Sequence, residues 1–176
     1  MTTKIIDSPP RTAMEVFEML PEGTLAEVIE GQFFISPAPS FQHQDTLLEI
    51  ASQLRTLIRA HGHRVIVAPF DVYLDKNENV VQPDICVILK SNRGILGQSF
   101  KGIPDLIVEI SSHSNSEPDL TLKRKLYQKV GVQEYWIVNP ETKEVIGYQQ
   151  KEGVFGKKTS SIATIQSFLL DVIITF

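Results

Sequence analysis

The chain has 176 residues, 42% of them hydrophobic and 22% charged, with a formal net charge of −4 and a single cysteine. That length suits one domain with a full core, while the lone Cys86 excludes an internal disulfide. The acidic balance argues against a large nonspecific nucleic-acid surface, though not against a local basic patch.

Residues 1–10, with Pro9-Pro10, read as a flexible N-terminal arm, and residues 11–176 as one domain. No apolar run approaches the roughly 18 residues of a membrane span. "MTTKIIDSPPRTAMEVF" lacks the basic start and long apolar stretch of a signal peptide. Together with Cys86 in an apolar strand, this leads to the expectation of a cytoplasmic protein.

"RTAMEVFEML" predicts a short amphipathic helix ended by Pro21 and Gly23. "LAEVIEGQFFIS" reads as a hairpin turning at Glu30-Gly31. Ser40 is the natural cap of a helix over about 41–60, where Leu47, Ile50, Ala51, Leu54, Leu57 and Ile58 keep helical spacing before Gly62 stops it. "RVIVAPFDVYL" reads as extended, with Pro69 marking a bend or an edge, and "VVQPDICVIL" as a buried strand. "KSNRGILGQSFKG" has loop composition, and "PDLIVEI" is a second buried strand. After the polar "SSHSNSEPD", a helix runs to Val130 with Gly131 as its C′ residue. "EYWIVNP" and "VIGYQQ" are strands around the turn "ETKE", and the tail after Lys157 reads as a short strand, a turn and a last strand "LLDVIITF". Strands interleaved with helices indicate an α/β fold, a mixed central sheet covered on both faces.

Two of these strands carry a carboxylate where apolar residues belong. Asp84 begins one and Glu109 sits near the end of the other, on the same face as Asp105 and Ile107. A lone carboxylate inside a buried strand is costly unless something pairs with it. If the two strands lie side by side, Asp84 and Glu109 converge, and two converging carboxylates repel unless a proton or cation stands between them. Magnesium suits such a pair, because it is commonly held by one or two carboxylates plus substrate phosphate. Phosphodiester hydrolysis further needs a positive group, usually a lysine, for the charge of the transition state.

Pro83-Asp84 followed by Glu109 at the end of an apolar strand resembles the PD-(D/E)XK nuclease superfamily. Pro104-Asp105 stands too close to Glu109 to be the first element of that motif. Where the superfamily places lysine, two residues after the glutamate, this chain has Ser111. Some members carry the lysine on the following helix instead, and "DLTLKRKLYQKVGVQEYWIVNP" resembles the Uma-type restriction endonuclease branch, long catalogued as a domain of unknown function. Its Asp, Lys and Tyr fall on Asp119, Lys123 and Tyr127, and its GV-x-EYW element on Gly131 to Trp136. "EVIEGQ" from Glu27 and "SPAPSFQH" ending at His43 resemble earlier pieces of the same family.

The resemblance implies a restriction-endonuclease-like core and a metal-dependent endonuclease acting on nucleic acid, DNA by family analogy. Asp84 and Glu109 would hold Mg2+, with Mn2+ as a substitute, and Lys123 would stabilise charge or orient water. Small nucleases of this kind often pair so that two sites address two strands, so a homodimer is expected too. Asp119, Lys123 and Tyr127 share one helix face at i, i+4, i+8 spacing, whereas Lys125 projects elsewhere.

Glu27, His43 and Tyr127 are further candidates. Glu27 is an added carboxylate for the metal site or a surface strand acid. His43 is a core histidine or a residue near phosphate or water. Tyr127, like Trp136, reads most simply as packing. His61 and His63 flank Gly62 without a third ligand, so no zinc site is assigned. Lys90, Arg93 and Lys101 in the loop 90–101 are the basic residues a nucleic-acid groove could draw on. The rival reading is a noncatalytic nucleic-acid-binding or assembly module that keeps the nuclease fold, favoured by Ser111 and the acidic balance. The two differ in whether the Lys123 amine stands beside the carboxylates.

Overall fold

The structure, a computed structural model, describes residues 9–111 and 117–176. Most of the expected arm therefore lies outside the described residues. In chain order the elements are α1 (Ala13–Met19), β1 (Ala26–Ile29), β2 (Gln32–Ile35), α2 (Phe41–Ile58) with a 3-10 turn at Arg59–His61, and β3 (Arg64–Val67). Short strands β4 (Val72–Tyr73) and β5 (Val80–Val81) precede β6 (Ile85–Ile88), β7 (Ile95–Leu96), β8 (Phe100–Lys101) and β9 (Leu106–Ile110). Then come α3 (Glu117–Val130), β10 (Glu134–Val138), β11 (Glu144–Lys151), β12 (Val154–Ile162), β13 (Thr164–Ser167) and β14 (Val172–Thr175).

The central sheet has the order β12-β11-β10-β9-β6-β3. Only β9 and β10 run parallel, joined by the crossover through α3, so the sheet is mixed. Its central strands are buried on both faces, as the near-continuous apolar runs required. The apolar stripe of α2 (Leu47, Ile50, Ala51, Leu54, Ile58) packs on one face with Ile85, Val108 and Trp136. On the other face, Leu126 and Tyr127 of α3 meet Cys86, Ile107 and Tyr135, together with Ile29, Val72 and Phe100 of a second sheet. That second sheet, order β2-β1-β5-β4-β8-β7, is the N-terminal hairpin extended by short strands.

"VVQPDICVIL" is not the one buried strand expected, and "RVIVAPFDVYL" breaks into two strands at the bend expected at Pro69. Each splits at its proline, Pro69 and Pro83, and delivers its halves to different sheets. Proline lacks the N–H a ladder needs, so it marks where the chain leaves one sheet for the other. The stretch read as a loop also holds β7 and β8, which pair with each other.

The ending of α3 follows expectation: Gly131 has φ 98° and donates its N–H to Tyr127 O at 3.2 Å. The buried Glu134 of "EYW" ties the tail to the core. Its Oε2 accepts from Ser167 Oγ at 2.7 Å and Leu169 N at 3.1 Å, and its Oε1 from Trp136 Nε1 at 3.1 Å. Trp136 in turn lies against Gly147, its cross-strand partner. A Cβ at Gly147 would stand 2.1 Å from Trp136 Cζ3. Gly147→Ala is therefore expected to cost about 1–3 kcal/mol through overpacking, read as a lowered urea midpoint. An unchanged midpoint would mean that the indole relocates freely.

Candidate active site

The register of β6 and β9 sets Ile85 opposite Val108, and one step further along it sets Asp84 beside Glu109. The expected side-by-side strands are thus present. Asp84 lies just before β6, its side chain 15% exposed, and its Oδ2 accepts the Ile110 N–H at 2.7 Å. Glu109, at 2% exposure, points to the α3 face.

Lys123 reaches down from α3, with its Nζ 3.2 Å from Glu109 Oε1 and 2.9 Å from Glu27 Oε2. The same Glu109 Oε1 accepts the Tyr127 hydroxyl at 2.7 Å. Glu27 comes from β1 of the N-terminal sheet, and its Oε1 also accepts the Gln82 N–H at 2.8 Å. It is buried, so the surface-acid reading does not hold, and both its oxygens are engaged. His43, in the first turn of α2 below the capping Ser40, brings Nε2 to 3.1 Å from Asp84 Oδ1. Residues from both sheets and two helices therefore meet at one end of the central sheet.

Tyr127 is consequently more than a packing residue. Trp136 is purely core, and the side chain of Asp119 lies outside the described residues. Asp105 of the second Pro-Asp pair has a structural role: it accepts from Leu89 N at 2.8 Å, Asn92 Nδ2 at 2.7 Å and Gln133 Nε2 at 2.9 Å. Ser111, at the motif's lysine position, bonds Val138 O through its own N–H at 2.8 Å. The contributions of the Gln82 and Ile110 backbone amides were missed at the sequence level, since a backbone donor leaves no residue signature.

Electrostatics follow from burial and crowding. Burial pushes the Glu109 carboxyl up to about 8, opposed by Lys123, reinforced by Asp84 and Glu27, and eased by the Tyr127 hydrogen bond. Burial works against the Lys123 charge, but Glu109 and Glu27 outweigh it and hold the ammonium well above the usual lysine range. Burial and the neighbouring carboxylates likewise keep the Tyr127 phenol protonated, well above its ordinary value. Lys123 is therefore a fixed cation and hydrogen-bond donor, not a proton acceptor.

The raised Glu109 value gives a stability prediction. The folded protein holds this proton up to about 8, the unfolded chain only to about 4.5. Stability of the metal-free protein should therefore fall as pH rises across that interval and level off above it. Thermal melts across the interval are expected to show this slope in wild type and a flatter one in Glu109→Gln. Equal slopes would place the titration elsewhere.

Among the described residues, no group of three His, Cys, Asp or Glu side chains forms a cage for a metal ion. Asp84 and Glu109 are instead a two-carboxylate pair of the kind magnesium takes, completing its shell with water and phosphate. The chemistry of the donor set fits: three carboxylates, Glu27, Asp84 and Glu109, crowd one lysine, leaving negative charge for a cation to balance.

This mixed α/β sheet flanked by helices is a restriction-endonuclease-like fold. The chain belongs to the Uma2 family, described as "Putative restriction endonuclease", whose pattern matches residues 14–169. Among solved structures it is similar to a protein described as a putative nuclease belonging to DUF820 from Anabaena variabilis. The two are 20% identical, the match covers 92% of each chain, and the TM-score is 0.76. No curated protein matches the chain. Among the described residues, no helix is long and apolar enough to cross a membrane.

Proposed function

We propose that the protein is a magnesium-dependent endonuclease that hydrolyses phosphodiester bonds in DNA. The observation that carries this reading is the Lys123 amine, delivered by α3 to 3.2 Å from Glu109, which stands beside Asp84. It supplies the positive group that Ser111 does not, and its place beside Glu109 favours an enzyme over a module that only keeps the fold. Membership of the Uma2 family and likeness to the cyanobacterial DUF820 protein support the same reading.

Asp84 and Glu109 would hold the metal, which when bound polarises a phosphoryl oxygen and makes water a better nucleophile at neutral pH. The protein's own groups do the rest. Tyr127 and Lys123 both bond Glu109 Oε1, which fixes the carboxylate that would hold the cation. Glu27 does not act as a ligand; it anchors Lys123, and Gln82 anchors Glu27. Lys123 keeps its charge and offers an N–H to a phosphate oxygen or to the attacking water, where negative charge develops in the transition state. Since Glu27 belongs to the N-terminal sheet and Lys123 to α3, the site is complete only when both halves of the fold are docked. A homodimer would let two such sites address two strands.

The test is cleavage of plasmid, single-stranded and branched DNA with Mg2+ or Mn2+, each run with and without EDTA. Cleavage that EDTA abolishes and metal restores supports the proposal. Inertness on all three substrates, with RNA also uncut, would leave a binding module.

A further inference from the structure

Asp84 is gripped from two sides. Oδ2 accepts the Ile110 N–H at 2.7 Å, and Oδ1 faces His43 Nε2 at 3.1 Å. An ionised carboxylate only accepts hydrogen bonds, so Nε2 must carry the hydrogen and donate. The other ring nitrogen, Nδ1, is buried and has no hydrogen-bond partner among the described residues. Nδ1 is therefore shut off from water, and Nε2 spends its hydrogen on Asp84. The ring is itself immobilised. His43 sits three residues after the capping Ser40, whose Oγ accepts the His43 N–H at 3.3 Å, and its side chain is 9% exposed.

We infer that His43 is a positioning residue that locks the Asp84 carboxylate in its metal-holding orientation, rather than a base or a contact to the substrate. The inference rests on the magnesium site proposed above and assigns His43 a role within it. The physical reason is that the terminal torsion of aspartate is broad. A single backbone donor lets the carboxylate swing, and a second donor from α2 fixes the plane. His43 approaches from the α2 face of the sheet, whereas Lys123, Tyr127 and Glu27 approach from the other. The two metal-holding carboxylates are thus braced separately, Asp84 by α2 and Glu109 by α3.

Calorimetric titration of Mn2+ into wild type, His43→Ala and His43→Gln tests this, with cleavage measured at low and high metal. Glutamine offers an amide N–H near the position of Nε2 but cannot serve as a base. His43→Ala should bind Mn2+ about 10–100-fold more weakly, with cleavage lost at low metal and regained at high metal. His43→Gln should return both affinity and cleavage to within a few-fold of wild type, and it keeps the test valid if the alanine variant unfolds. Two variants that bind metal like wild type but cleave nothing would overturn the inference, because His43 would then act on water or substrate. Wild-type affinity and cleavage in His43→Ala would overturn it equally. A wild-type protein with no affinity for Mn2+ would instead remove the metal site itself, and this inference with it.

Discussion

Glu109→Gln should abolish cleavage while leaving the metal-free protein more stable at neutral pH. The two effects separate because they have different origins. On the proposed function the carboxylate would hold the cation, and losing it should cost on the order of a thousandfold in rate. The same carboxylate is a burden to the empty fold: it is 2% exposed, and its carboxyl is pushed up to about 8 by burial, with Asp84 and Glu27 adding repulsion. Glutamine has nearly the same shape, and its amide oxygen can still accept from Tyr127 and Lys123. The rate should collapse while the melting temperature rises, a combination that misfolding cannot imitate. A rate loss accompanied by a lower melting temperature would assign Glu109 to the architecture instead.

Lys123→Met should lose both activity and stability. Methionine fills much the same volume but leaves the Glu27 carboxylate, its side chain only 8% exposed, without its cation and beside a Glu109 carboxyl that burial pushes up to about 8. Removing one partner from a buried ion cluster costs about 3–5 kcal/mol. Urea unfolding should show a loss of that size, partly restored by added Mg2+, which takes over some of the missing positive charge. Cleavage should fall on the order of a hundredfold to a thousandfold even at saturating metal, because the donor that the proposed function assigns to the transition state would be gone. A stability change near zero would show that the buried Glu27 carboxylate does not need the lysine.

The legible and illegible parts of this site divide along a physical line. Asp84 and Glu109 were readable because each stands at the end of an apolar run, and period-two alternation assigns a face without knowledge of the partner strand. Their pairing needed only that β6 and β9 be neighbours, which they are. Lys123 was different. A lysine within "LKRK" looks like a solvated helix face, and only the family resemblance singled it out. The structure buries it because both acids that neutralise it arrive from strands, one of them in another sheet.

Glu27 was harder still. A hairpin acid gives no local sign of whether its face meets solvent or a distant helix, and Gln82, which anchors it, lies 55 residues away. The same non-local limit explains the divided strands. "VVQPDICVIL" has the apolar content of one buried strand, and nothing within it says that Val80–Val81 and Ile85–Ile88 belong to separate sheets. The core helices, by contrast, followed their spacing and caps, since those signals are local, except that Leu57, expected on the apolar face of α2, stands 43% exposed near its end.

DNA cleavage in Mg2+ should be compared for wild type, Glu109→Gln and Lys123→Met, purified identically and each checked for a folded melting transition. Wild type should cleave, and each folded variant should be slower by at least about a hundredfold. Cleavage at the wild-type rate in either variant would mean that the hydrolysis does not depend on the carboxylate and lysine that this fold brings together.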